Sequence, residues 1–198
     1  MTDVIELSLN DDMLRFLSFC PVTLITTVGK DGSINAAPHS RSTMASYNPL
    51  QIIISVNVEH DTCRNIVETG EFVINIPSVD LIKQIWITQK HFPYGINELE
   101  QAGLTAFPAE KVKPPRIKEC KAYIECKVVW TKIAGSSRLI LGKIEAISAR
   151  KETDTLDIKE RVAALNRLIF LSYKKKRDKK TWTFGKIGKN TCINRNRR

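Results

Sequence analysis

The sequence predicts a mainly β fold with peripheral helices, of the β-barrel or α+β kind. Short runs rich in β-branched residues recur between turn signals: VTLITTV from Val22, QIIISVNV from Gln51 and EFVINI from Glu71. A longer pair, Ala122 to Ile133 and Arg138 to Arg150, flanks Ala134-Gly135-Ser136 and reads as a hairpin. Helical patterns between these runs are few and short, which favours an antiparallel barrel or sandwich over a doubly wound sheet. No G-x-G-x-x-G follows any strand, so a Rossmann dinucleotide site is disfavoured.

In chain order, Asn10 is a plausible N-cap for a short helix through Leu17, which Pro21 stops. The strand from Val22 to Val28 turns at Lys30-Asp31-Gly32-Ser33 into a partner through Ile34 and Asn35-Ala36-Ala37, with Pro38 where a strand ends. A hydroxyl-rich loop holding Ser40, Ser42, Thr43 and Ser46 leads through Asn48-Pro49 to the strand at Gln51. Asp61 is the expected N-cap of a helix over 62–69, closed by Gly70. After the strand at Glu71, Ser78 caps a helix to about Gln89 whose Leu81, Ile82, Ile85 and Trp86 make an apolar, core-facing stripe. Lys90 to Ile96 is a loop with two aromatics, which either cover a ligand or plug one end of the barrel. Asn97 and Glu100 cap a one-turn helix ended by Gly103. Asp157 and Glu160 start a last helix carrying Val162, Leu165 and Ile169 on one side, and Trp182 to Gly185 is a final short strand.

The 198 residues suit one domain, expected over 1–189, followed by a basic tail over 190–198 expected to be flexible. No apolar run reaches the roughly 18 residues of a membrane span, and the first residues lack the plan of a signal peptide. Five scattered cysteines argue against a disulfide framework and fit a reducing cytoplasm. Cys120 and Cys126 fall on one strand face as small buried hydrophobes. No second cysteine pair and no histidines at i, i+4 are present, so no metal site is expected. No nucleophile elbow is present, and no acid/base pair stands out as catalytic. The net charge of +10 sits entirely in Tyr173 to Arg198, leaving the body neutral. That tail has the charge to bind nucleic acid or an anionic surface, and equally reads as a solvated hairpin and frayed end; a nucleic-acid partner is not expected.

The stretch from Asn35 to Asn65 is the most suggestive chemically. Small residues let the backbone approach a flat ring, loop hydroxyls can donate to phosphate oxygens, and a helix N-terminus offers free N–H groups. These features favour a phosphorylated planar ligand, but they also describe a Ser-rich hairpin loop beside a capped helix.

The order T-T-V-G-x-D-G-x-x-N-A-A-P-x-S from Thr26, S-x-x-P from Ser46 and T-x-x-N-I-x-x-T-G-E-F-V-I-N from Thr62 resembles the flavin reductase-like family of FMN-binding split β-barrels. GINELEQAGLT, ECKAYIECKV and LILGKIEAI follow in the family's order, so the likeness runs roughly from Leu14 to Lys189. The resemblance implies FMN as cofactor, NAD(P)H as co-substrate, and a homodimer with the flavin at its interface. It also implies electrons passed to free flavin, to a flavin-dependent oxygenase or to another acceptor, with a flavoredoxin-type carrier of tightly bound FMN as the alternative. Residue by residue, it places Asn35, Ala36, Ala37 and Pro38 at the isoalloxazine ring and His39 and Ser40 at the ring and ribityl side. Ser46, Thr62 and Asn65 fall toward the phosphate, with His60 as its charge partner. Where many relatives carry a His after the glycine of the long hairpin turn, this chain has Gly135-Ser136-Ser137-Arg138.

Overall fold

The computed structural model describes residues 20–151, 164–176, 179–186 and 193–196. The helix expected from Asn10 and most of that expected from Asp157 lie outside them.

The main sheet has seven antiparallel strands in the order β3-β2-β6-β9-β10-β5-β4. They are β2 (Thr23–Val28), β3 (Ile34–His39), β4 (Ser42–Tyr47), β5 (Leu50–Asn57), β6 (Glu71–Ile76), β9 (Ala122–Ala134) and β10 (Ser137–Ala149). β3 and β4 are consecutive in the chain yet occupy opposite edges, so the sheet curls toward closure without an unbroken ladder. A second sheet, β1 (Cys20–Pro21), β11 (Leu168–Lys176), β12 (Lys179–Lys186) and β13 (Ile193–Asn196), packs against it, and β7 (Ala106–Phe107) pairs β8 (Arg116–Ile117). Among the described residues, the helices α1 (Asp61–Thr69), α2 (Ile82–Thr88) and α3 (Glu98–Ala102) fill connections. Among the described residues no helix is long and apolar enough to cross a membrane.

β2 and β6 are buried on both faces, because successive side chains enter two different cores. Leu24 and Val73 join Ile85, Trp86, Leu99, Ile117, Leu168 and Phe184 on one side. Ile25, Phe72 and Ile74 join Ile54, Ile66, Cys126 and Ile140 inside the curled sheet. This explains the near-continuous apolar runs there. β5 alternates instead, with Ile52, Ile54 and Val56 buried. The inner core is tight at one point: a Cβ on Gly142 would stand 2.6 Å from the Phe72 ring.

Several local expectations change. The hydroxyl-rich loop is largely strand β4, paired with β5. His60, not Asp61, takes the N-cap position of α1, without a side-chain bond. The helix after Ser78 begins as a 3-10 turn over Val79–Leu81. Cys120 and Cys126 are both buried but in different cores, because Cys120 precedes β9 and is not on the strand. Ile169, expected on a helix, pairs with Pro21 in β11. Within 190–198, Ile193–Asn196 lies beside β12 as β13.

Candidate functional site

The D-G turn works as its residues suggest. Asp31 Oδ1 accepts from the Ser33 N–H and hydroxyl, and Gly32 takes φ +84°. It returns the chain as edge strand β3, paired to β2 from Thr23↔His39 to Val28↔Ile34. Strand alternation turns Ala36 into the core and leaves Asn35 and Ala37 on the opposite face. There a cleft of about 490 Å³ opens, within the size range of ligand sites.

Three segments bound this cleft. Asn35, Ala37 and Pro38 come from β3; Glu59, His60, Asp61 and Thr62 from the start of α1; and Thr88 to Phe92, with Glu98, from the end of α2 onward. The two aromatics of the Lys90 to Ile96 loop separate: Phe92 lines the cleft, while Tyr94 packs beneath the Arg64 guanidinium, 4.0 Å from its ring centre. The α1 N-terminus also contributes its dipole and the early N–H groups of Asp61 and Thr62.

A buried hydrogen-bonded network lies under the β3 wall. Asn35 Nδ2 donates to Glu98 Oε1, and the Ala36 N–H donates to Glu98 Oε2, both at 3.0 Å. Asn35 Oδ1 accepts from the Thr27 hydroxyl at 3.3 Å and from the Thr62 hydroxyl at 3.0 Å. Asn65 Nδ2 donates in turn to Thr27 Oγ1 at 3.1 Å, while Asn65 Oδ1 is buried with no partner. Burial pushes the Glu98 carboxyl up, and the Ala36 N–H and Asn35 amide pull against it.

Nine of the ten expected site residues gather around β3 and α1, in three different environments. Asn35, Ala37, Pro38, His60 and Thr62 line the cleft. Pro38, His39 and Ser40 line a smaller neighbouring cavity of about 150 Å³ walled by Val22, Ile85, Gln89, Phe170 and Phe184. Ala36 and Asn65 lie beneath the surface, Ala36 in the core and Asn65 in the network. The Thr62 hydroxyl proton is committed to Asn35, so this side chain offers a ligand its lone pairs and its backbone N–H. Ser46 lies elsewhere: it pairs with Gln51, and its Oγ accepts from the Asn48 N–H. From Gln51 the chain runs six residues, about 20 Å, to Asn57 before reaching His60.

Sequence reasoning missed Glu98 and Thr27; of the two roles open to the Lys90 to Ile96 loop, lining the cleft is the one Lys90, His91 and Phe92 take. Glu98 was readable only as a first-turn helix residue, and nothing local marks it as bonded to β3, 62 positions away. The three histidines lack helical spacing, yet the fold gathers them: burial lowers the His60 imidazole, and His91 and Arg41 lower it further. Burial, with His60 and Arg41 nearby, holds His39 down to about 3. Among the described residues no group of three or more His, Cys, Asp or Glu side chains is placed to hold a metal ion.

Known proteins share this fold. The fold is similar to nitrilotriacetate monooxygenase component B from Bacillus cereus, with a TM-score of 0.83 and 22% identity over 96% of this chain and 99% of that one. It is also similar to the flavoredoxin of Desulfovibrio vulgaris (Miyazaki F), with a TM-score of 0.76 and 20% identity over 94% and 96%. A protein of Methanothermobacter thermautotrophicus is 43% identical over 109 residues, 54% of this chain, and the match spans about half, 51%, of that relative's length. The split-barrel expectation therefore holds for the fold. The flavin reductase like domain matches residues 18–166, and the chain belongs to that family.

Proposed function

We propose that the cleft binds FMN and that the protein is an NAD(P)H-dependent flavin reductase, passing electrons to free flavin or to a protein acceptor such as a flavin-dependent oxygenase. The observation that carries this reading is the composition of the cleft in a chain of this family. A strand edge of small residues faces the N-terminus of a nine-residue helix across a cavity of ligand size. The ring would lie along Asn35, Ala37 and Pro38, where the absence of bulky side chains leaves room for close backbone approach. The phosphate would sit toward the Asp61 and Thr62 N–H groups, with the Lys90 ammonium and the imidazole N–H groups of His60 and His91 as further donors. Glu59 and Asp61 oppose that charge, so affinity must come mainly from backbone donors and ring burial.

Bound flavin supplies the hydride chemistry. The chain's own contribution is to hold the ring edge through β3, to exclude water with the Lys90–Phe92 segment, and to leave one face open to a visiting nucleotide. A second copy is expected to cover exposed apolar residues of the same sheet: Met44, Tyr47 and Leu50 on the β4–β5 hairpin and, beyond β10, Val129, Trp130 and Ile133 on β9. Tyr47, 83% exposed, stands at the tip of that hairpin.

The test is anaerobic addition of NADH or NADPH to the FMN-loaded protein. Rapid bleaching, followed by reduction of excess free flavin, is expected. Tight FMN that neither nucleotide bleaches would favour the flavoredoxin-type carrier, and a protein that stays colourless with added FMN would end the flavin reading.

A further inference from the structure

Glu98 is only 6% exposed, lines the cleft, and has no cationic partner among the described residues. Both carboxylate oxygens are used as acceptors, one by a side-chain amide and one by a backbone N–H of the same strand. Protonation would turn one oxygen into a donor beside another donor and weaken its acceptor, so these two hydrogen bonds favour the ionised form. Glu98 also decides how Asn35 sits. With Nδ2 drawn to the carboxylate, Oδ1 faces the Thr27 and Thr62 hydroxyls and accepts from both. A neutral acid at this position would let the amide turn and would release the Ala36 N–H. Asp61 at the head of α1 adds a second negative charge, and His60, Glu59, Lys90 and His91 complete the titratable groups around the same cavity. Burial, the largest influence on this carboxyl, moves its titration above the usual carboxylate range.

We propose that Glu98 is the positioning residue of the cleft: its ionised carboxylate sets the amide orientation of Asn35 and anchors the β3 edge, so that ligand affinity at that edge is linked to a proton on Glu98. The ligand half of this inference rests on the flavin reading above; the positioning half does not.

Riboflavin is the suitable probe, because it lacks the phosphate whose own titration would overlie the effect. On titration from neutral pH into acid, wild-type affinity is expected to fall roughly tenfold as Glu98 takes up its proton, the scale of one hydrogen bond to a charged acceptor. E98Q should start about tenfold weaker and stay flat across the range. E98D restores the charge but not the reach, and should remain weak. Wild-type affinity and pH profile in E98Q, or full rescue by E98D, would overturn the inference.

A second readout needs neither ligand nor variant. The Ala36 amide and the Asn35 side-chain amide, followed by NMR, should titrate together with a midpoint above the usual carboxylate range. Resonances indifferent to pH would overturn the positioning role even if riboflavin does not bind, whereas failure of riboflavin to bind beside a clear amide titration would overturn only the flavin reading.

Discussion

At the β7–β8 corner, Arg116 and Glu125 are buried to a similar degree as Glu98 and Asn35 beneath the cleft, but their charges balance. Arg116 Nε stands 3.2 Å from Glu125 Oε1, and its guanidinium lies over the Phe107 and Tyr123 rings. A further nitrogen reaches Glu110 at 3.2 Å, and Glu125 also accepts the N–H groups of Glu110 and Lys111. None of these residues lines either of the cavities beside β3. The cleft network reverses each feature: one carboxylate, no cationic partner among the described residues, hydroxyl and amide partners, and an open cavity beside it. A buried pair whose opposite charges face each other fixes a loop; a buried charge held only by neutral dipoles remains sensitive to what enters next to it.

The largest test of this contrast removes one partner of the balanced pair. Arg116→Met should destabilise the fold by about 3–5 kcal/mol, the scale for an orphaned buried charge. Flavin affinity of the folded fraction should not change. Denaturant unfolding read alongside flavin titration checks both, and a specific loss of flavin affinity would erase the distinction between the two clusters.

Acid sensitivity should come from the cleft side. His39 is held down to about 3 from an ordinary 6.5, so the unfolded chain binds the extra proton between those values. Its stabilising contribution is complete above pH 6.5 and is lost as pH falls toward 3. The loss is on the order of 2–4 kcal/mol. Glu98 works with the opposite sign: its folded pKa is raised, so its contribution is greatest in acid and is lost as pH rises through the folded value. Unfolding curves of His39→Asn should be flatter below pH 6.5 than those of the wild type.

A smaller effect is expected at Thr62. Thr62→Val keeps the shape but removes one of two donors to Asn35 Oδ1, for a stability loss of about 1 kcal/mol. FMN affinity should fall several-fold as the β3 wall loosens, measured by fluorescence quenching. Unchanged affinity would confine the network to a structural role. The smallest effect belongs to Ser46→Ala, expected within about 0.5 kcal/mol of wild type in stability and neutral for FMN. A clear loss of affinity there would mean that β4 of a second copy reaches the site.

The legible parts of the molecule were those encoded locally. Asp31-Gly32, Gly70 and Gly103 mark turns whose positive φ values only a residue without a Cβ adopts freely, and all three lie where the spacing places them. Asn97 caps α3 by accepting from the Leu99 N–H, as its distance from Glu100 predicts. The β-branched runs became strands because their side chains could be buried on one or both faces. The site was legible as a segment, since β3 and the head of α1 are nearby in sequence and carry the family's pattern.

Tertiary structure decided the rest, for reasons that no local window contains. Whether Ser46 belongs with His60 depends on the β4–β5 register, which sends the hydroxyl to the far end of the strand. The pairing of Glu98 with Ala36 depends on a fold that brings a five-residue helix against an edge strand. His60 acts on His39, and His91 on His60, only because separate connections end at one mouth. Sequence by itself determined the long strands and the turns between them, the family and the wall of small residues. Packing determined which polar atoms in that wall were consumed by each other and which were left for a ligand, because burial and hydrogen-bond partnership are properties of neighbours in space.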